Sequence, residues 1–429
     1  MNILIPIETS SRELVYKIYL SRLLALKGHR CYLGRKTQIY SLMGFLKNYI
    51  YFDKGYHHGE SEKIYKKIKQ NNGLIVSLDE EGGVDFEDNS TLLNRYSSQF
   101  FNQVDHVFLW GKKQNEIISN NLKNSKIVEV TGHPRFELLK QKYHYLYQNK
   151  VKDIKNKYGD FVLINTNMGF GNNIKGDNFV IQNYGERVEK IDQIVSFDKQ
   201  KLSLFFDLIE TLAKKINCNI IVRPHPEECQ EIYQKKFNDL DKVFVCSSGS
   251  VIPWLMATKQ MIHPDCTTAI ESYFLGKPAI SLLPIDFPRD LVTKLPLTSS
   301  IMFNEIDDII DFIHKPKFSS FNSNFSDLFE DYFAYENNSF DMIVERIMIL
   351  CNFNKNNLMN ISLKNQLYLK VKAFKSKLFS SNQILVNKKL NGFNWETLNN
   401  TNLNIELNSN HRKKINLKKI NSELFMFSI

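Results

Sequence analysis

Several protein classes are excluded by what this chain does not contain. Its six cysteines (Cys31, Cys218, Cys229, Cys246, Cys266, Cys351) include no CxxC pair, and no histidine cluster stands beside them at metal-ligand spacing. Zinc ribbons and disulfide scaffolds are therefore excluded, and reduced, buried thiols are expected. No apolar stretch reaches the roughly 18 residues of a membrane span. The opening MNILIPIETSSRE has neither a basic leader nor a cleavage site, so a cytoplasmic protein without a span is expected. No repeat of roughly 20 to 50 residues is visible, which argues against a solenoid.

What is present is ordinary in bulk. A content of 43% hydrophobic and 24% charged residues suits a soluble globular protein, and 429 residues exceed what one hydrophobic core serves. The net charge of +10 resembles a nucleic-acid footprint until it is located: residues 351–429 hold 13 Lys+Arg against 3 Asp+Glu, leaving 43 of each sign in the first 350. The surplus belongs to a C-terminal segment. That segment has few interleaved aromatics and no recognisable motif, so nucleic acid is not expected as a partner. Within it, Leu363, Leu367, Val371, Phe374 and Leu378 recur at spacings of three and four among lysines. This pattern suits contact with the inner-membrane surface or docking onto the N-terminal domain.

Short apolar runs at residues 3–7, 31–33, 49–52, 74–78, 106–109 and 127–130 read as strands, separated by helical stretches such as 14–26, 60–70 and 113–120. That alternation implies a parallel sheet. Residues 135–157 are polar and helical, as a connector would be. A second series follows: strands at 161–165, 219–222, 243–246, 260–263 and 279–282, with helices at 199–216 and from 228 and 267. Residues 328–351 read as a closing helical pair. The expected architecture is two doubly wound, Rossmann-like α/β domains, 1–150 and 151–350, followed by a basic amphipathic extension at 351–429 whose Asn- and Lys-rich remainder is loosely ordered.

Three segments carry candidate chemistry. In LDEEGG, an apolar strand runs into Asp79, Glu80, Glu81, Gly82 and Gly83. Carboxylates at the carboxyl end of a parallel strand face the ligand crevice. Their mutual repulsion favours a raised pKa in one of them, which suits a general base, and the glycines permit close approach of backbone or substrate. In RPHPEE, Arg223, His225, Pro226 and Glu227 follow a strand, two prolines restrict the backbone, and Arg and His together can neutralise phosphate. In HPDCTTAIES, His263 closes a strand, Asp265, Thr267 or Thr268 caps the next helix, and Glu271 and Ser272 lie about one turn inside it. A hydroxyl-bearing helix start favours anions. The competing readings are a solvated acidic turn, a structural histidine and ordinary capping.

Smaller signals are NTNMGFGNN, with Asn165, Thr166, Asn167 and Gly169 on a ligand-side loop, and ETSSRE at 8–13 after the first strand. GHPRFELL at 132–139 reads as a turn into the connector, with His133 structural. The acidic run at 85–88 reads as a solvated loop. No separate DxD element supports a metal-dependent transferase, so no metal is expected.

The order of LDEEGG, RPHPEE and HPDCTTAIES resembles the bacterial sialyltransferases and polysialyltransferases of the GT-B class, with their D/E-D/E-G, HP and Ser/Thr motifs. From IPIETSSREL through GHPRFELL and INTN to GKPAIS, residues 1–350 also look like the bacterial surface carbohydrate biosynthesis proteins, associated with nonulosonic acid and capsular polysaccharides. The resemblance implies an inverting transferase moving an acidic sugar, a nonulosonic acid or Kdo, from a CMP-activated donor to a glycan or lipid-linked acceptor, with no cofactor besides that donor substrate. Glu80 matches the first acid of the family triplet and would be the base, with Asp79 or Glu81 as alternatives, since Asp79 and Gly83 exceed the minimal motif. His225 would contact or protonate the CMP phosphate, which Thr267 and Thr268 would bind. Two alternatives remain: a glycerophosphate or ribitol-phosphate transferase using a CDP-alditol, and a non-catalytic scaffold of polysaccharide assembly.

Overall fold

Residues 1–82, 89–119, 127–185, 188, 190–277, 279–315, 326–353, 358–379, 389–409 and 413–429 are described in the computed structural model. Gly83 and the acidic run at 85–88 lie outside them. The chain divides into two compact units, one holding Met1–Gly82, Asn89–Leu146 and Asp327–Ile429, the other Tyr147–Ser326.

The first unit is built on β1 (Asn2–Ile7), β2 (Arg30–Arg35), β3 (Tyr49–Asp53), β4 (Leu74–Leu78), β5 (His106–Leu109) and β6 (Val128–Val130), all parallel. Strands covered by helices on both faces read as continuous apolar runs. That is why NILIPI of β1 is buried at every position. In the second unit, β7 (Phe161–Asn165), β8 (Asn219–Arg223), β9 (Val243–Val245), β10 (Gln260–His263), β11 (Ala279–Leu282) and β12 (Ser300–Phe303) form another all-parallel sheet. β12 was not among the expected strands; its SIMF is too short and too exposed to stand out as an apolar run.

The C-terminal segment differs from expectation. The expected extension at 351–429 belongs to the first unit, and the described part of its remainder is ordered: the helix Trp395–Asn408 is followed by β13 (Asn416–Asn421) and β14 (Leu424–Ser428). β14 pairs antiparallel with β2, and β13 with β14, giving the order β13-β14-β2-β1-β3-β4-β5-β6. Gly34 on β2 permits this approach, because a Cβ there would stand 2.6 Å from Leu424 Cδ1. β13 is the outer edge and exposes Lys418 and Lys419, charges that discourage pairing with another chain. Part of the basic surplus thus guards a sheet edge. Among the described residues no helix is long and apolar enough to cross a membrane.

Strand order decides where each unit can hold a ligand. In the first sheet the chain turns from β1 outward to β2 on one side and to β3 on the other; in the second it reverses between β7 and β10, where the order runs β12-β11-β10-β7-β8-β9. Crevices open outside the carboxyl ends of strands at such reversals.

Candidate functional site

In the first unit, the loops after β1, β3, β4, β5 and β6 carry a buried polar network. β1 is followed by Glu8 and Thr9, which lead into the helix Ser10–Leu26. Glu13 accepts from the Thr9 and Glu8 amides at 2.9 and 3.2 Å, satisfying donors that the helix start leaves unpaired. The same carboxylate takes Lys17 Nζ at 2.8 Å, and Lys17 also donates to Pro6 O and lies 3.0 Å from Glu80 Oε1. Tyr16 donates its hydroxyl to Glu80 Oε1. On the other side of the carboxylate, His133 Nε2 faces Oε2 at 3.6 Å. The Arg135 amide donates to His133 Nδ1, so the neutral ring carries its proton on Nε2, toward Glu80.

Asp79 and Glu81 are joined by Arg95, whose guanidinium reaches both at 2.9 Å; Arg12 lies 3.4 Å from Glu81 Oε1. The Trp110 indole donates to Asp79 O at 2.7 Å. Gly82 lies against Trp110 and Gln114, where a Cβ would come within 3.0 Å of the indole ring and 2.5 Å of Gln114 Nε2. Its missing side chain thus admits protein side chains.

Glu80 and Glu81 do not behave as their adjacency suggests. Burial alone would raise Glu80, but Lys17, His133 and Arg12 outweigh it and hold the carboxyl well below the usual range. Burial likewise opposes Arg12, Arg95 and Lys54 at Glu81, which falls to about 2. The expected raised pKa is overturned at both, because cations from distant segments outmatch the repulsion between neighbours. His133 is lowered to about 4, chiefly by burial, and is neutral at physiological pH. The two glutamates differ in access: the Glu80 side chain is 1% exposed and that of Glu81 39%.

In the second unit, Glu228 organises the site. This buried acid accepts from Thr166 Oγ1 at 2.7 Å and from the amides of Met168 and His225 at 3.1 Å each, and Tyr233 donates to its second oxygen. The loop after β7 is thereby tied to the loop after β8. Burial raises the Glu228 pKa, with Tyr233 and Thr166 opposing. His225 is exposed, its Nδ1 accepts from the Glu227 amide at 3.3 Å, and its ring lies over Gly169. Pro226 and Glu227 are half-buried beside it.

Across the β7/β10 reversal, Asn165 Nδ2 donates to Thr268 Oγ1 at 3.0 Å. Asn165 Oδ1 and Asn167 Oδ1 are buried acceptors without a hydrogen-bond partner among the described residues. Thr267 precedes the helix Thr268–Phe274 and makes no capping bond with its side chain, while Glu271 is buried within that helix. Behind these loops Lys201 lies 2.9 Å from Asp198 and 3.1 Å from Asp265. Asp198 accepts the Phe170 and Gly171 amides, so this buried triad braces the loop after β7.

Three expected ligand contacts are corrected by the geometry. Arg223 points its guanidinium at the carbonyls of Cys246, Ser248 and Gly249, at 3.0 to 3.2 Å, and against the Trp254 ring; it holds a loop. Burial lowers it to about 10. His263 is wholly buried, accepts the Cys266 amide at Nδ1 and meets Ser300 Oγ at Nε2, and is lowered to about 3 by burial. Ser272 donates to Lys277 O and closes the far end of its helix.

Several organising residues were not singled out in the sequence, though signals existed for some. Lys17 stands inside the apolar run LVYKIYL with Glu13 four residues before it, Lys201 has Asp198 three before it, and Glu228 is the second acid of HPEE. Arg95 carries no such signal.

Residues 195–348 match the model of a family described as a protein of unknown function (DUF354), which is less than half of the chain. No curated protein matches. Similar solved structures include the wall teichoic acid polymerase TagF, with 10% identity, a TM-score of 0.53 and coverage of 83% of this chain and 90% of that one. The UDP-GlcNAc 2-epimerase of Neisseria meningitidis bound to UDP-GlcNAc has 14% identity and a TM-score of 0.51, covering 81% and 100%. That of Methanocaldococcus jannaschii, in complex with UDP-GlcNAc and UDP, has 12% identity and the same TM-score and coverage. At such identities the likeness shows the fold: the chain has the two-Rossmann-domain GT-B fold.

Proposed function

We propose that this protein is a transferase using a nucleotide-activated donor in the synthesis of a surface polysaccharide, with a CMP-linked acidic sugar, a nonulosonic acid or Kdo, as that donor. One observation carries the reading. Glu228 ties together the loops after β7 and β8, so that His225, Asn165, Asn167 and Thr268 are presented at the strand reversal where α/β sheets hold ligands. The buried acceptors of Asn165 and Asn167 suit hydroxyl or amino donors of a nucleoside, and His225 suits its phosphate.

In the transfer, an acceptor hydroxyl oxygen bonds to the anomeric carbon, the bond from that carbon to the phosphate oxygen breaks, and CMP leaves with the electron pair. The hydroxyl proton passes to a general base. Of the three acids in DEE, Glu81 has the chemistry of a base, because its side chain is accessible while Glu80 is enclosed by Tyr16, Lys17 and His133. Glu80 is then a positioning residue that fixes the strand end from which Glu81 projects. A substrate anion competing for Arg12 and Arg95 raises the proton affinity of Glu81, the direction a base requires.

Calorimetric titration with CMP, CDP, UDP and GDP tests the donor assignment, using the intact protein, His225→Ala and Glu81→Gln. Selective CMP binding is expected, weakened by about tenfold or more in His225→Ala and retained in Glu81→Gln. Preference for UDP or GDP overturns the donor. Turnover of a CDP-alditol with release of CMP moves the reading to glycerophosphate or ribitol-phosphate transfer, and absence of any nucleotide binding makes the chain a scaffold.

A further inference from the structure

We propose that the outward face of the helix Leu363–Phe379 seats the first unit on an anionic lipid surface. An amphipathic helix ordinarily turns its apolar side to the core, and this one has done so: Leu369 and Ala373 are buried, Leu369 and the preceding Ile361 join the core of the first unit, and Asn421 donates to Leu369 O at 3.1 Å. That requirement is met without the residues on its other side. There Leu363 is 83% exposed, Leu367 62%, Val371 46% and Phe374 65%.

At about 100° per residue these four side chains fall within roughly 80° of arc, a single stripe. Lys370 borders it on one side, and Lys364 and Lys375 on the other, all three exposed. Tyr368 and Lys372 follow beyond, and the helix holds no Asp or Glu. Leu358 and Met359, just before it, are also exposed. Apolar side chains flanked by lysines are the pattern of a helix lying in the interface, where the stripe enters the acyl boundary and the ammonium groups meet lipid phosphates. A second copy of this chain fits less well, since pairing two such stripes brings lysine rows together without a carboxylate between them. Seating on lipid through this helix does not depend on which nucleotide the second unit binds.

The test is flotation of the full chain with vesicles of phosphatidylcholine alone and of phosphatidylcholine and phosphatidylglycerol in equal parts. Two variants accompany it: Leu363→Gln with Leu367→Gln and Phe374→Gln, and Lys364→Gln with Lys370→Gln and Lys375→Gln. Because all six side chains are exposed, both variants are expected to melt with the unaltered protein. The unaltered chain is expected to float with the phosphatidylglycerol vesicles, the apolar variant to lose roughly tenfold or more in partitioning, and the lysine variant to lose the preference for phosphatidylglycerol. Equal flotation of the apolar variant, or none of the unaltered chain, overturns the proposal. So does a dimer in light scattering, without vesicles, that the apolar substitutions convert to monomer.

Discussion

At the carboxyl edge of the first sheet, Lys17, Arg12, Arg95 and Lys54 meet Glu13, Glu80, Glu81, Asp79 and Glu8 in a network whose charges answer one another. At the corresponding edge of the second sheet the groups beside the strand reversal are amides, hydroxyls and an exposed histidine, while the charged set Asp198–Lys201–Asp265 lies behind them as a brace. The two edges share a fold and differ in what is left for a ligand. In the first the charges are paired with one another, so most of its residues are tied to stability; the second presents uncharged acceptors, Asn165 Oδ1 and Asn167 Oδ1, on loops held from behind, so its residues divide into supports and contacts.

The sharpest way to break this comparison is Lys17→Ala. It leaves Glu13 and Glu80 buried without their shared cation and is expected to destabilise the first unit by about 3 to 5 kcal/mol in chemical denaturation. A loss under about 1 kcal/mol would mean that solvent or neighbours compensate and that the network is not closed. The second test is Glu228→Ala, which removes the acceptor of Thr166 Oγ1 and of the Met168 and His225 amides. A cost of about 2 to 3 kcal/mol is expected, together with loss of nucleotide affinity in calorimetry. Lost stability with undiminished affinity would detach the support from the site.

The smallest effect concerns pH. The buried His263 takes its proton only near pH 3 in the folded chain and near 6.5 when unfolded. Between those values the unfolded chain binds the extra proton, so this contribution is fully present above 6.5 and is lost as pH falls toward 3. Down to pH 5 the loss reaches up to about 2 kcal/mol. His263→Asn is expected to flatten that part of the slope in urea melts at successive pH values. An unchanged slope would assign it to His133 and His29, whose folded values of about 4 give the same sign in the first unit.

Much of the fold was legible because burial of parallel strands on both faces writes itself as short apolar runs. Residues 74–78 and 106–109 coincide with β4 and β5, and 260–263 and 279–282 with β10 and β11. β12 escaped because three of its four residues are partly or fully exposed. β13 and β14 escaped because NLKKIN and LFMFS become strands only when β2 offers an edge to pair with.

The candidate site was legible as position and less so as role. DEEG, HPEE and CTT all fall at carboxyl ends of strands, as their place after apolar runs implies. Yet Arg223, His263 and Ser272, three of the expected ligand contacts, face carbonyls, an amide and hydroxyl, and a helix end.

Local chemistry along the chain determined the strands, the two α/β series and the residues at their ends, because alternation and burial are properties of neighbours in sequence. Only the tertiary structure decided which acids are held ionised, which histidines are sealed in the core and which helix face remains outside. Those outcomes depend on partners such as Lys17 for Glu80 or Arg95 for Asp79, 63 and 16 residues away in the chain. Electrostatic strength is set by distance and burial, which sequence spacing does not contain.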